Sequence, residues 1–216
     1  KSCNAFHKLL SLIKGMKKKL LQAASRALMI VAHPDDEIIW AGGIILANPK
    51  INWTILCLCR ASDKDRAPKF AKVAKALGAR GIIEDLEDEG RLSLKASIKP
   101  IKKIIQDKIG RQSFDYIFTH GENGEYGHER HVSTHLAVVE LVKTKRLVTS
   151  ELWCFHYKKL SKYKLAPKAG ADCILDLSPK SFKQKTSLMS EIYGFDPKGI
   201  DAGYCTNPES YKKIKI

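Results

Sequence analysis

The chain has 216 residues, 44% of them hydrophobic, and a formal net charge of +15; that length supports one domain with a sizeable core. No apolar run approaches the roughly 20 residues that cross a bilayer, so a membrane-spanning helix finds no support. Cys3, Cys57, Cys59, Cys154, Cys173 and Cys205 lack the spacing of a disulfide framework or a zinc knuckle; read as buried free thiols, and with no secretory stretch at the N-terminus, they point to a reducing cytoplasm.

Residues 1–26 carry seven of the positive charges (Lys1, Lys8, Lys14, Lys17, Lys18, Lys19, Arg26) and no acid. Phe6, Leu9, Leu10, Ile13, Met16 and Leu20 recur there at helical spacing opposite the lysines. Such an amphipathic segment either packs on its own domain or meets a membrane surface or a nucleic acid, and composition favours the first. From residue 27 to 216 strand-like and helix-like segments alternate. This predicts an α/β domain: a single Rossmann-like sheet, mostly parallel, with helices on both faces and the site at the C-terminal edge of the strands. In chain order the pattern gives a strand over 27–32, a helix over 37–47, and a strand over 53–59 on which Cys57 and Cys59 point the same way. A helix over 69–77 ends at Gly78, and a short strand over 81–84 enters an acidic turn. A lysine-rich helix over 97–109 ends at Gly110, and a strand over 116–119 meets a Gly-rich loop over 120–127. A helix over 129–143 and strands over 152–155 and 173–177 follow, and Ser178-Pro179 opens a helix to about 193.

Two strand exits carry the chemistry. Ala32-His33-Pro34-Asp35-Asp36-Glu37 follows the first strand, and four of the seven histidines (His120, His128, His131, His135) fall in one window after the strand at 116–119. In a parallel sheet those exits share an edge, so His33 and Asp36 can meet a histidine of the second cluster around one divalent ion. Two imidazoles and one carboxylate leave a coordination position open, as hydrolytic zinc sites do. His131 belongs to both the i,i+3 and the i,i+4 histidine pair and is the best third ligand. His135, one turn deeper among Val132, Leu136, Val138 and Val139, reads as a hydrogen-bonded structural residue, while His128 on the loop side faces substrate. His120 lines the pocket or braces the loop. An acidic helix start explains Asp35, Asp36 and Glu37 but leaves His33 and the second cluster unexplained.

The hexapeptide at 32–37 and the run Gly124-Glu125-Tyr126-Gly127-His128-Glu129-Arg130-His131 together resemble the two metal motifs of the LmbE-like, or PIG-L-like, family of zinc-dependent N-deacetylases, with weaker similarity over about 27–193. The resemblance implies that His33, Asp36 and His131 bind Zn2+, with Fe2+ or another divalent metal as a substitute. Asp35 would be the general base, His128 would stabilise the tetrahedral intermediate or protonate the leaving amine, and Tyr126 would donate to the oxyanion. Arg66 and Asp88 would face the substrate, and Glu37 would serve the helix start and orient a ligand. Departures are Glu129-Arg130 where relatives carry Pro-Asp, Lys69 where many carry Glu, and Gly194-Phe195 after Tyr193. The function implied is removal of an acetyl group from an N-acetylglucosamine-type sugar or glycoconjugate. The alternatives are hydrolysis of another amide of a sugar or thiol conjugate, or a basic nucleic-acid-binding protein with a vestigial metal site. Charge alone supports the last, with no nucleic-acid motif beside it, and a nucleic-acid partner is not expected.

Overall fold

The computed structural model describes residues 21–22, 25–162 and 164–216. The amphipathic helix expected within 1–26 falls outside the described residues up to position 20; Leu21 is already packed in the core at 1% exposure.

Strand β1 (Arg26–Val31) is apolar on both faces, as a central parallel strand covered on both sides must be. It pairs in parallel with β2 (Asn52–Cys59) on one side and β4 (Ser113–Thr119) on the other. Outside these run β3 (Arg80–Leu86) and β5 (Val148–Phe155), also parallel, and then β9 (Glu209–Ile214), antiparallel to both β5 and β8 (Cys173–Leu175). The sheet order is β3-β2-β1-β4-β5-β9-β8. The chain winds outward from β1 to β3 and then restarts on the other side of β1 at β4. The crevice above the carboxyl ends of β1 and β4 is therefore the topological switch point, where open α/β sheets take their ligands.

Alternation along β1 divides the core. Ala27, Met29 and Val31 face one layer with helix α1 (Asp36–Ala47), α2 (Arg66–Ala76) and the C-terminal helices. Leu28 and Ile30 face the other with α3 (Leu94–Ile109) and α5 (Glu129–Lys143), whose buried stripes are Ile101, Ile105, Ile109 and Ala137, Val138, Leu141. Helix α1 is buried from Asp36 to Ile45, which matches a sequence apolar all round. A short turn of helix, α4 (Gly124–Gly127), precedes α5. After β5 come the hairpin β6 (Tyr157–Ser161) and β7 (Lys164–Pro167), then α6 (Pro179–Ser187), which continues as a π-helical turn over Leu188–Tyr193, and α7 (Ile200–Tyr204).

Several elements differ from expectation. Helix α2 starts at Arg66 rather than 69, because Asp63 Oδ1 accepts the amides of Asp65 and Arg66 at 2.9 Å each and satisfies that helix start. Helix α3 starts at Leu94, where Ser93 Oγ accepts the Ala96 amide at 3.4 Å. Cys57 and Cys59 do not share a face. A bulge in the β2–β3 ladder between them turns Cys57 toward Trp53 and Ile55, and Cys59 toward Leu56 and Leu58. Strands β6, β7 and β9 were not expected, since their lysines hide any apolar alternation. Cys57, Cys59, Cys154, Cys173 and Cys205 are free thiols.

Candidate metal centre and pocket

The backbone leaves β1 and turns sharply into α1 at Asp35, whose φ of 119° lies in a region that favours glycine. The turn sends neighbouring carboxylates in different directions. Asp36, first residue of α1, folds back so that Oδ2 accepts the His33 amide at 2.8 Å, while Trp40 Nε1, one helical turn on, donates to Oδ1 at 2.7 Å. Asp35 turns to Arg66, whose Nη1 donates to its Oδ2 at 2.9 Å. The Asp35 amide donates to Glu37 Oε2 at 3.0 Å, and Glu37 Oε1 accepts the Tyr193 hydroxyl at 2.5 Å. Glu37 thus braces the Asp35 turn and does not orient a ligand side chain, and burial lifts its pKa to about 7.

His131 reaches this turn from α5. His131 Nε2 lies 3.3 Å from His33 Nδ1 and 3.4 Å from Asp36 Oδ2, and His33 Nδ1 is 3.4 Å from the same oxygen. Ligand atoms held about 2.1 Å from a tetrahedral ion stand roughly 3.4 Å apart, so the triangle has the size of one face of such a site. The outer ring nitrogens have carboxylate partners. With His131 Nδ1 donating to Glu125 Oε2 at 2.6 Å and His33 Nε2 donating to Asp88 Oδ1 at 3.0 Å, the inner nitrogens of both rings would be free to hold an ion. Without an ion a proton takes that place: in spite of burial, Asp36 and Asp88 raise the His33 pKa to about 10, so the ring carries the positive charge that an ion would bring. The residues fit a divalent metal.

The surrounding charges fit as well. Burial pushes the Asp36 carboxyl up, but His131 and His120 outweigh it and hold it well below the carboxylate range. Glu125, fully buried, is brought down to about 2 by His120 and His131 in spite of its burial. Burial, Asp36 and Glu37 push Asp35 well above the usual range, with Arg66 opposing. His128 is lowered to about 4 by burial and by His131 and His33. Its Nδ1 accepts the Arg130 amide at 3.3 Å, so the proton sits on Nε2.

A pocket of about 240 Å3 opens above the triangle, lined by His33, Asp35, Asp36, Trp40, Arg66, Asp88, Tyr126 and His128, with Arg60, Asp201 and Tyr204 on its rim. Every residue expected at the site except His131 lines this pocket, and His131 is fully buried behind it. Arg66 lies over the Phe195 ring at 4.5 Å, so the Gly194-Phe195 departure supplies the face on which Arg66 rests. Asp88 is less free than expected for a substrate ligand, because Oδ1 meets His33 and Oδ2 accepts Arg60 Nη2 at 2.9 Å. His135 stands apart, its Nδ1 donating to the His120 carbonyl at 2.9 Å, as its structural reading requires. His120 takes the bracing role: Nε2 accepts the Ala32 amide at 3.0 Å and Nδ1 donates to Glu125 at 2.9 Å. Arg130, in the departing Glu129-Arg130 pair, is buried, donates to Ser97 and lies 3.6 Å from Glu87.

Sequence reasoning assigned no role to Glu125, Arg60, Tyr193, Asp201 or Tyr204. Only Glu125 carried a signal, as an acid between two glycines just before the histidine helix; it adopts φ 58° to reach both rings.

The description of one known family, PIG-L: GlcNAc-PI de-N-acetylase, matches residues 28–142. A curated relative, Uncharacterized protein L374 of Acanthamoeba polyphaga mimivirus, is 28% identical over 137 residues, which cover 56% of this chain. The chain spans 58% of that relative's length. Among solved structures, N,N'-diacetylchitobiose deacetylase from Pyrococcus horikoshii superposes with a TM-score of 0.64 at 17% identity, over 99% of this chain and 93% of that one. GalB, the 4-carboxy-2-hydroxymuconate hydratase from Pseudomonas putida KT2440, gives 0.61 at 13% identity, over 89% and 97%. The A40926 pseudoaglycone deacetylase Dbv21 gives 0.60 at 13% identity, over 88% and 97%. Deacetylases and a hydratase share the architecture, so these likenesses speak to the fold.

Proposed function

The chain belongs to the PIG-L family of de-N-acetylases, and from that premise we propose that it is a metal-dependent hydrolase, zinc being the first choice of ion, that removes acetyl from an N-acetylglucosamine-type sugar or glycoconjugate. The observation that carries the reading is the triangle of His33 Nδ1, Asp36 Oδ2 and His131 Nε2, with sides of 3.3–3.4 Å and Asp35 beside it. A divalent ion on those three atoms would supply Lewis acidity and lower the pKa of a water to about 7.

Asp35 is the base. Its Oδ2 is committed to Arg66, and its Oδ1 has no hydrogen-bond partner among the described residues; that oxygen takes the proton of the attacking water. The same carboxyl then passes that proton to the departing amine and regains its charge for the next turnover. His128, protonated on Nε2, and the Tyr126 hydroxyl, whose pKa burial pushes far up, are neutral donors for the oxygen of the tetrahedral intermediate. For His128 this favours oxyanion stabilisation over protonation of the leaving group. Arg66 offers its remaining donors to sugar hydroxyls, and Asp88 chiefly holds His33 in its ligand tautomer.

The test is metal-stripped protein reconstituted with zinc and assayed for free amine from N-acetylglucosamine conjugates. Asp35→Asn is expected to lower turnover by about 10²–10⁴-fold with zinc content unchanged, whereas His131→Ala loses the metal. An Asp35→Asn protein that no longer holds zinc would reverse the assignments of base and ligand, and absence of amine release across the panel would overturn the hydrolase.

A further inference from the structure

The hairpin β6–β7 is the most one-sidedly charged part of the described surface. Between Glu151 and Asp172 the chain has no acid and no arginine but five lysines, Lys158, Lys159, Lys162, Lys164 and Lys168. On α3, by contrast, Lys102 reaches Glu140 at 2.6 Å and Lys108 reaches Glu84 at 2.7 Å. On the hairpin Lys168 pairs with Glu122, while Lys158, Lys159 and Lys164 meet no carboxylate among the described residues. Tyr157 and Leu165 are buried and root the hairpin in the protein, which turns Lys158 and Leu160 outward; Leu160 is 52% exposed.

We propose that this hairpin docks the protein onto an anionic bilayer surface, with Lys158 and Lys164 at the headgroups and Leu160 entering the acyl boundary. Basic side chains around one exposed aliphatic residue suit that interface, because lysine stems lie along apolar surface while the ammonium groups stay with lipid phosphates. A nucleic-acid surface would draw on arginine forks and stacked aromatics, and among the described residues the outward face of the hairpin has neither. The hairpin is tied to the pocket wall. Lys159 Nζ lies 5.9 Å from the centre of the Tyr126 ring, Asn123 Nδ2 donates to the Tyr157 carbonyl at 3.0 Å, and the Tyr204 hydroxyl donates to the Lys162 carbonyl at 3.1 Å. The docking surface and the pocket wall are thus one packed unit, and the docking holds whatever bond the site cleaves.

Cosedimentation of the full chain with phosphatidylcholine vesicles, with and without phosphatidylserine, at about 0.1 M salt, tests this. The parent is expected to bind only the anionic vesicles. At about five-fold per lysine, K158Q/K164Q should weaken binding about 30-fold, and L160S should weaken it further with thermal unfolding unchanged. Equal binding to both vesicle types, or none, overturns the proposal. Variants that bind like the parent would assign any adhesion to the charges in 1–26 and overturn it too. A DNA duplex bound more tightly than vesicles by the parent, and released by K158Q/K164Q, would give the surface to nucleic acid.

Discussion

Asp35 is held where its backbone and its charge are both uncomfortable. Its φ of 119° costs on the order of 1–3 kcal/mol for a residue with a Cβ, and its pKa is raised by burial and by Asp36 and Glu37. A carboxyl whose folded pKa exceeds its unfolded one weakens the fold as pH rises from the unfolded value through the folded one. In the metal-free protein, Asp35→Asn should therefore raise the melting temperature by an amount that grows with pH, since it removes the charge alone. Asp35→Gly should raise it further by relieving the torsion, while turnover is lost in both. Thermal melts at several pH values measure the two effects separately; a Gly variant less stable than the Asn variant would show that the turn is unstrained. Strain retained at the proposed base is what a site selected for reactivity rather than stability displays.

At the scale of the element, α1 is the platform of the site, and β9 holds it. Glu209 Oε1 and Oε2 accept the Gly43 and Ile44 amides at 2.7 and 2.9 Å, and Lys185 Nζ and the Tyr211 hydroxyl complete the carboxylate's shell at 2.7 and 2.6 Å. Lys185 and Glu209 are both fully buried. Gly43 permits the approach, since a Cβ there would stand 2.8 Å from Glu209 Cδ and 2.5 Å from Leu177. Glu209→Ala leaves a buried ammonium without its counter-charge and should destabilise the fold by about 3–5 kcal/mol, read by urea unfolding; Lys185→Met/Glu209→Leu, which removes both charges, should recover a large part of the loss. This device was illegible in the sequence. The apolar run of α1 and the histidine spacing on α5 announce their elements, because burial and ligation restrict residue type at fixed intervals. Glu209 sits in a lysine-rich C-terminal stretch with no period, and its partners are 165 residues away in the chain. Asp201 and Tyr204 escaped for the same reason, since a helix of five residues has no room for a pattern.

At the scale of the molecule, the two ligand groups are far apart in sequence and adjacent only because β4 returns beside β1. The two motifs made their shared edge readable, since parallel strands leave no other edge for both exits. Glu125 as the common partner of His131 and His120, and Asp88 as the partner of His33, depend on backbone torsions and on the end of β3, and the sequence marks at most the first, by an acid in a Gly-rich turn, without saying which rings it meets.

His33 and His131 stand 98 positions apart in the chain, and that has one more consequence. The proposed metal site would not survive separation of β1 from β4, so an ion bound there would be a clasp on the fold, and its affinity would add directly to the free energy of unfolding. Free zinc at about 100 times its dissociation constant would add about 2.7 kcal/mol, or roughly 5–10 °C for a domain of this size. Calorimetry should accordingly show a melting temperature that climbs with the logarithm of zinc concentration and falls back on chelation, with His131→Ala indifferent to both. Zinc supply would then govern how much folded protein persists as well as how fast it works.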